Sequence, residues 1–292
     1  MVAKGYLTKL LENEAVKAFV DKQSFNAKTL LLTVPKILLP LAIYWVVALF
    51  ASEELAFASV ALAGIVGYLF KNKVFEIIEK VYNRETGDDQ TSNLTMTLSN
   101  ASGSQRVRKI KQFTKVVGNT EKSIMFFQAP ADVKNTSFMN WSYDDGKADD
   151  QWIYLPAIKK TKRISSDSKS DYFMGSDFTY DDLGDRKLDA DDHTLLREEK
   201  MNGKDCYVIE SMSKDEEYMY TKTITWIDKS NFIGVKKEFY DEDEDLLKIL
   251  TIKEYQEIAG LLIINNSEMN NVQKNHTTSI VLSDIKVNTN IP

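Results

Sequence analysis

The sequence of 292 residues holds one cysteine, Cys206, and only two histidines, His193 and His276. A single cysteine excludes an intramolecular disulfide. Cys206 lies in KDCYVIES, whose alternation predicts a strand, so we interpret it as a small buried hydrophobe rather than a nucleophile. The acidic clusters at 144–150 and 241–245 lack the spacing of a calcium loop and fall where turns are expected. The sequence therefore predicts no metal site and no cofactor.

The common catalytic and nucleotide-binding motifs are also absent. The sequence contains no H-E-x-x-H, G-x-S-x-G, P-loop or C-x-x-C. We therefore predict that the protein is not an enzyme, and a hydrolase that uses Asp177 or His193 is the catalytic alternative. The formal net charge of -6 divides into about +3 for residues 1–73 and about -9 for residues 74–292. An acidic folded part argues against nucleic-acid binding, which needs a basic face.

Residues 1–73 form the hydrophobic part of the chain. Two apolar runs, 37–51 and 55–70, are each about 15 residues long, which is short of the ~20 residues of a comfortable membrane span. Three interpretations are open: a membrane hairpin that turns at 52–54, a long signal sequence cleaved near 56–58, and a buried pair of helices. The spacing of apolar residues before the first run predicts an amphipathic helix.

From residue 91 the spacing of apolar residues changes from the period of a helix to a period of two residues, which is typical of a strand. NLTMTLS, for example, alternates Leu94, Met96 and Leu98 with threonine and serine. A dozen or so such segments are separated by turn sequences such as NASGS and EKMNGKD, which predicts a sandwich or barrel of short strands. An apolar stripe predicts one helix at 73–85, and a short lid-like segment is expected at 171–183.

Four stretches carry a resemblance to a known family. They are NRETGDDQTSNLTMTLSNASGSQRVRKIKQF at 83–113, KSIMFFQAPADVKNTSFMNWSYDDGKADDQWIYLPAIKKTKRI at 122–164, MGSDFTYDDL at 174–183 and KDCYVIES at 204–211. Together they resemble the outer-membrane lipoprotein-sorting protein family, close to the periplasmic lipoprotein carrier and its outer-membrane receptor. The resemblance covers about residues 74–292. It implies an α+β, mainly antiparallel β fold, an unclosed half β-barrel with capping helices, here preceded by a helical hydrophobic segment.

The resemblance also implies a function without a covalent step. Family members bind lipid or lipoprotein acyl chains on the apolar inner face of the half-barrel, and adaptable aromatic and methionine side chains suit such ligands. The predicted cavity residues are Phe126, Phe138, Trp141, Trp152, Tyr154, Phe173, Met174 and Phe178. The predicted contacts to lipid headgroups or to an acidic partner are Lys159, Lys160, Lys162 and Arg163.

Partners and location follow from the same resemblance. Similar proteins are often associated with lipid-exporting transporters of the resistance-nodulation type, so an accessory subunit acting by protein contacts is the alternative function. Residues 22–80 weakly resemble the last membrane helices of a transporter permease. Lysines around the apolar runs place both ends of a hairpin in the cytoplasm. The resemblance instead implies a periplasmic β-domain, which we predict to lie in the envelope of a Gram-negative bacterium, tethered to the inner membrane through residues 1–73.

Two departures from the family are expected to matter. The two-run hydrophobic segment stands where the family has a cleaved signal peptide. The family also continues past the final NTNIP with a further segment. Without that segment we expect an exposed edge of the sheet near the C-terminus.

Overall fold

The computed structural model describes residues 71–292. Within that part, residues 71–82 form helix α1, and no helix is both long and apolar enough to cross a membrane. The stripe predicted for α1 is confirmed: Val74 and Ile77 are buried against the sheet. The predicted amphipathic helix and the two apolar runs lie outside the described residues.

The rest of the described chain is almost entirely β-structure, because apolar side chains alternate with polar ones over most of the strands. Thirteen strands are present, and each segment with predicted alternation overlaps one of them. The strands are β1 (Asp89–Ser99), β2 (Gln105–Val117), β3 (Thr120–Ala129), β4 (Ser137–Tyr143), β5 (Asp150–Leu155), β6 (Lys160–Arg163), β7 (Asp191–Met201), β8 (Lys204–Ser213), β9 (Lys222–Asp228), β10 (Gly234–Tyr240), β11 (Leu246–Ile258), β12 (Leu261–Asn271) and β13 (His276–Val287).

All thirteen strands of the described part form one antiparallel sheet in the order β6-β5-β4-β3-β2-β1-β13-β12-β11-β10-β9-β8-β7. Strands that follow one another along the chain are neighbours in the sheet except for β6 and β7, and β1 pairs with β13 in the middle of the sheet, where Leu94 lies opposite Leu282. The sheet is open, with β6 and β7 at its two edges. The expected exposed edge at the C-terminus is absent, since β13 pairs with β1 on one side and β12 on the other.

The two faces of the sheet are covered differently. One face, which we call the covered face, carries α1 and three apolar clusters that run from β4 across the sheet to β7. On the opposite face, which we call the outer face, Cys206 and Val208 pack with Trp226. Cys206 is 0% exposed, which confirms that it is a buried small residue.

The chain between β6 and β7 has to pass from one edge of the sheet to the other, because these consecutive strands lie at opposite edges. This connection, residues 164–190, crosses the covered face, and we call it the strap. Regular structure in it is limited to short 3-10 turns, among them Phe173–Gly175 and Asp181–Leu183. The lid-like segment predicted at 171–183 is therefore the central part of the strap.

Candidate functional site

Aromatic side chains fill the space between the strap and the strands β1–β4. Phe173 of the strap is 0% exposed and lies 5.0 Å from Phe138 and 6.0 Å from Phe127, measured between ring centroids. The Tyr180 ring belongs to the same group, and its centroid lies 5.6 Å from that of Phe173. Met174, in the left-handed region with φ of 51°, packs against the same cluster. The strap thus covers the apolar surface of these strands with its own apolar side chains.

A second apolar group continues the covered face toward β9–β12. Phe178 of the strap packs there with Tyr220, Phe239 and Met269. The rings of Tyr220 and Phe239 are 5.0 Å apart, and Met269 is fully buried. The apolar surface under the strap therefore extends over most of the width of the sheet.

Buried polar contacts fasten the strap at its centre. Asp177 is 2% exposed, and its backbone N–H donates to the Thr278 hydroxyl oxygen at 2.9 Å. The Thr278 hydroxyl donates back to the Asp177 carboxylate at 2.7 Å, and His276 Nδ1 lies 2.7 Å from the same carboxylate oxygen. These contacts join the strap to β13 in the middle of the sheet.

A buried ion pair holds the next turn of the strap. Lys248 of β11 has a fully buried side chain, and its ammonium donates to the Asp182 carboxylate at 2.5 Å and to the Asp177 carbonyl at 3.1 Å. Asp182 also accepts from the Thr179 backbone N–H at 2.7 Å and from the Tyr220 hydroxyl at 3.1 Å. Burial, and then the charge of Asp182, raise the pKa of Tyr220, so its hydroxyl stays protonated as a donor.

Further contacts fix the end of the strap on β5 and on the residue that precedes it. The Gln151 side-chain amide donates to the Tyr180 carbonyl at 2.8 Å, and the Asp185 backbone N–H donates to the Asp149 carboxylate at 2.8 Å. Gln151 is fully buried, and Asp149 is 7% exposed. Such contacts are directional, unlike those of the aromatic cluster, and they fix one position of the strap along the sheet.

Beside the strap lies a small cavity of about 160 Å³. Its wall includes Arg186, Lys237, Ser211 and Tyr218. Burial lowers the pKa of Lys237, and among the described residues its ammonium has no carboxylate partner. Pockets for drug-sized ligands occupy roughly 300–1,000 Å³. The cavity therefore does not hold a long acyl chain while the strap lies on the sheet.

Ser211 of the cavity wall contacts a histidine that the sequence singled out, His193. His193 Nδ1 lies 2.8 Å from the Ser211 hydroxyl, and Nε2 lies 3.1 Å from the Leu188 carbonyl. Since a carbonyl only accepts, Nε2 donates to the Leu188 carbonyl. The two contacts of His193, a residue of β7, therefore join Ser211 of β8 to the end of the strap. Across residues 71–292, no three His, Cys, Asp or Glu side chains are grouped as metal ligands.

The structure divides the predicted cavity residues between the two faces. Phe138, Phe173, Met174 and Phe178 lie in the clusters of the covered face. Phe126, Trp141, Trp152 and Tyr154 lie on the outer face, because each stands at the alternate position to a buried residue such as Phe127 or Ile153. The second four therefore do not share a cavity with the first four.

The predicted basic contacts lie together at one edge of the sheet. Lys160, Lys162 and Arg163 are exposed residues of edge strand β6, and Lys159 precedes them with φ of 51°. Arg163 forms an ion pair with Asp150 of β5. The anchors of the strap, in particular Asp182 and Lys248, were not among the residues predicted from the sequence.

Comparison with known proteins decides the family. The structure matches a putative outer membrane lipoprotein-sorting protein domain from Vibrio parahaemolyticus with a TM-score of 0.71 and 36% identity, over 76% of this chain and 95% of that one. The chain belongs to the outer-membrane lipoprotein-sorting protein family. A DUF1329 family protein from Desulfovibrio piger matches with a TM-score of 0.72 and 27% identity, over 76% and 95% of the two chains.

Other matches agree with the fold of this family. A LolA superfamily protein from Nitrosomonas europaea, 22% identical, matches 75% of this chain and 94% of its own with a TM-score of 0.58. A family model described as an uncharacterized protein matches residues 119–292. A family of unknown function, DUF5687, matches residues 6–86, so that match extends past the predicted domain boundary at residue 73 into α1. No curated protein matches the chain.

Proposed function

We propose that this member of the lipoprotein-sorting family binds lipid or lipoprotein acyl chains and transfers them between membranes of the cell envelope, without a catalytic step. The observation that carries the proposal is the covered face. An apolar surface of an open sheet is occupied by a single connection of the same chain, and that connection is fastened by discrete polar anchors. The aromatic side chains of the strap occupy the space that an acyl chain would take.

The energies are compatible with exchange between strap and ligand. Burying acyl chain yields about 0.8 kcal/mol per methylene, so ten buried methylenes contribute about 8 kcal/mol. Breaking one buried ion pair, such as that of Lys248 with Asp182, costs on the order of 3–5 kcal/mol. A long acyl chain therefore offsets the loss of this anchor. In this proposal Phe138, Phe173, Met174 and Phe178 contact the bound chain, and the lysines of β6 contact its headgroup.

The same proposal sets the location and the attachment of the protein. The β-domain lies in the periplasm of a Gram-negative bacterium, and residues 1–73 tether it to the inner membrane. The family assignment supports the envelope location, because sorting of lipoproteins to an outer membrane takes place there. Protection of the β-domain from external protease in spheroplasts would contradict a periplasmic location.

A reversible disulfide between the strap and β13 tests the binding proposal. In the double variant Asp177→Cys and Thr278→Cys, the two new thiols replace side chains whose oxygens are 2.7 Å apart, so oxidation would bond the strap to β13. We expect the oxidised full chain to take up no fluorescent fatty acid and the reduced chain to take it up. Cys206 is fully buried and does not compete for the disulfide.

Equal uptake in the two redox states would refute binding under the strap. The variant His193→Ala serves as the control for chemistry at the Ser211 contact, and we expect it to bind fatty acid as the parent does. Native mass spectrometry of the purified chain should in addition show co-purified lipid.

We also propose that a membrane transporter is a partner of residues 1–73. In the alternative function, the protein is an accessory subunit that acts by protein contacts alone. Recovery of a transporter in a pull-down only when residues 1–73 are present, together with an empty covered face, would favour that alternative.

A further inference from the structure

The outer face of β2–β5 carries a surface of partly exposed aromatic and apolar side chains. We define this outer patch as Phe113, Phe126, Met139, Trp141, Trp152 and Tyr154. These side chains share one face because their registers match, with Met139 opposite Trp152, for example. The rings of Trp141 and Trp152 lie 5.2 Å apart, and Phe126 is 42% exposed.

Lysines surround this patch, and their charges are not neutralised. Lys109 donates to the Thr95 hydroxyl at 2.9 Å, Lys111 donates to the Asn93 side-chain carbonyl at 3.1 Å, and the Lys122 ammonium lies 4.1 Å above the Trp141 ring. Within residues 71–292 none of these three ammonium groups has a carboxylate partner. The patch is therefore locally positive on a chain whose formal net charge is -6.

We propose that the outer patch docks on an anionic lipid surface. Trp and Tyr rings are preferred at membrane–water interfaces, because each combines an apolar body with a polar group. Lysines close to an anionic leaflet are attracted to it. The charged groups beside the patch that lack a carboxylate partner are the ammonium groups of Lys109, Lys111 and Lys122, which match a diffuse layer of negative charge. Negative lipid would repel much of the remaining acidic surface, so the charge also orients the domain.

Docking in this orientation has a consequence for β6. This edge strand follows β5 directly in the sheet, and Arg163 lies opposite Trp152, so Arg163 comes to the membrane beside the patch. Lys160 and Lys162 stand at the alternate positions and project toward the covered face, so of the β6 contacts predicted from the sequence Arg163 is the one at the lipid surface. The docking proposal does not depend on which ligand the covered face binds.

A label in the patch tests the proposal in the full chain. Phe126→Cys offers an exposed thiol while Cys206 stays buried, so an environment-sensitive fluorophore attaches at position 126 alone. Met212→Cys is the matched control, since Met212 is 50% exposed on β8, eight strands away in the sheet. Each labelled chain is reconstituted with vesicles of phosphatidylcholine alone or with added phosphatidylglycerol. We expect a blue shift only for position 126 and only with phosphatidylglycerol, reversed by high salt.

Charge variants measure how much the lysines beside the patch contribute to binding of anionic vesicles. In the triple variant Lys109→Gln, Lys111→Gln and Lys122→Gln, half-saturation of binding should need on the order of 100-fold more phosphatidylglycerol vesicles. Each lysine near an anionic surface is expected to strengthen binding about fivefold. The control neutralises three exposed lysines that have acidic partners, Lys200, Lys214 and Lys253, and leaves the chain with the same net charge. We expect it to bind as the parent does.

Two results would overturn docking on lipid. Equal weakening by both triple variants would show that only net charge matters. A label at position 126 that is already blue-shifted in buffer free of lipid and detergent would show that protein covers the patch, either residues 1–70 or a second copy. Loss of fatty-acid uptake with intact docking would contradict only the function proposed for the covered face, so the two proposals fail separately.

Discussion

Replacing Lys248 by methionine tests whether the buried ion pair fastens the strap. Lys248 is 0% exposed and the Asp182 side chain is 6% exposed, so neither charge is screened by water. Lys248→Met keeps much of the length and volume of the side chain but leaves the Asp182 carboxylate buried without its cation. Breaking a buried pair in this way costs on the order of 3–5 kcal/mol of the free energy of unfolding. The remaining donors, Thr179 and Tyr220, limit the cost to the lower part of that range.

Two measurements separate this effect from a general loss of stability. In a double-mutant cycle with Asp182→Asn, the double variant should be less destabilised than the sum of the single variants by about 2 kcal/mol, because the first substitution removes the partner of the second. Hydrogen exchange should rise first in the amides around Asp177 and Thr179, while β1 and β13 stay protected. Lys253→Met is the control, since Lys253 is on the same strand but pairs with Glu268 at the surface.

For that surface pair we expect a change of about 0–1 kcal/mol. The reasoning is refuted if Lys248→Met and Lys253→Met unfold at the same denaturant concentration and show the same exchange in the strap. Loss of protection in all strands at once would show instead that Lys248 supports the whole sheet.

Further predictions concern the core, the thiol and acid stability. Phe173→Ala should cost on the order of 3–5 kcal/mol in denaturant unfolding, whereas Phe126→Ala, at an exposed position, should cost less than about 1 kcal/mol. Burial raises the pKa of Cys206, so thiol reagents should modify it only after unfolding. Hydrogen bonds from Lys147 and Arg163 lower the pKa of Asp150. The stabilisation from Asp150 is therefore complete above its unfolded pKa of about 4 and is lost as pH falls through the folded pKa, so Asp150→Asn should flatten the acid part of a stability profile.

Alternation was sufficient to predict the strands, because each hairpin is local in the sequence. In NLTMTLS the buried residues Leu94, Met96 and Leu98 are those that the period of two selects. The same parity also bears on the candidate site. Phe138 and Trp141 are three residues apart on one strand and must face opposite ways. Applying that argument to the sequence would have divided the predicted cavity residues in advance.

The anchors of the strap could not be found in this way. Asp182 and Lys248 are 66 residues apart, and their contact depends on the strap crossing from β6 to β7. The local sequence LLKIL does contain a signal, since a lysine inside an apolar run in a strand either breaks the pattern or is buried with a partner. The identity of the carboxylate that pairs with this lysine follows only from the order of strands in the sheet.

In the proposed function, polar anchors give the strap a property that an apolar strap would lack, namely a threshold for acyl-chain binding. Apolar contacts exchange freely with an acyl chain, but the Lys248–Asp182 pair has to be broken before any exchange, at a cost of about 3–5 kcal/mol. At about 0.8 kcal/mol per methylene, this cost corresponds to roughly four to six methylenes. Fatty-acid uptake should therefore rise steeply with chain length. Because the cost of Lys248→Met lies in the lower part of that range, this variant should move the rise to chains shorter by about four carbons. A chain-length profile that Lys248→Met leaves unchanged would show that the ligand binds without displacing the strap.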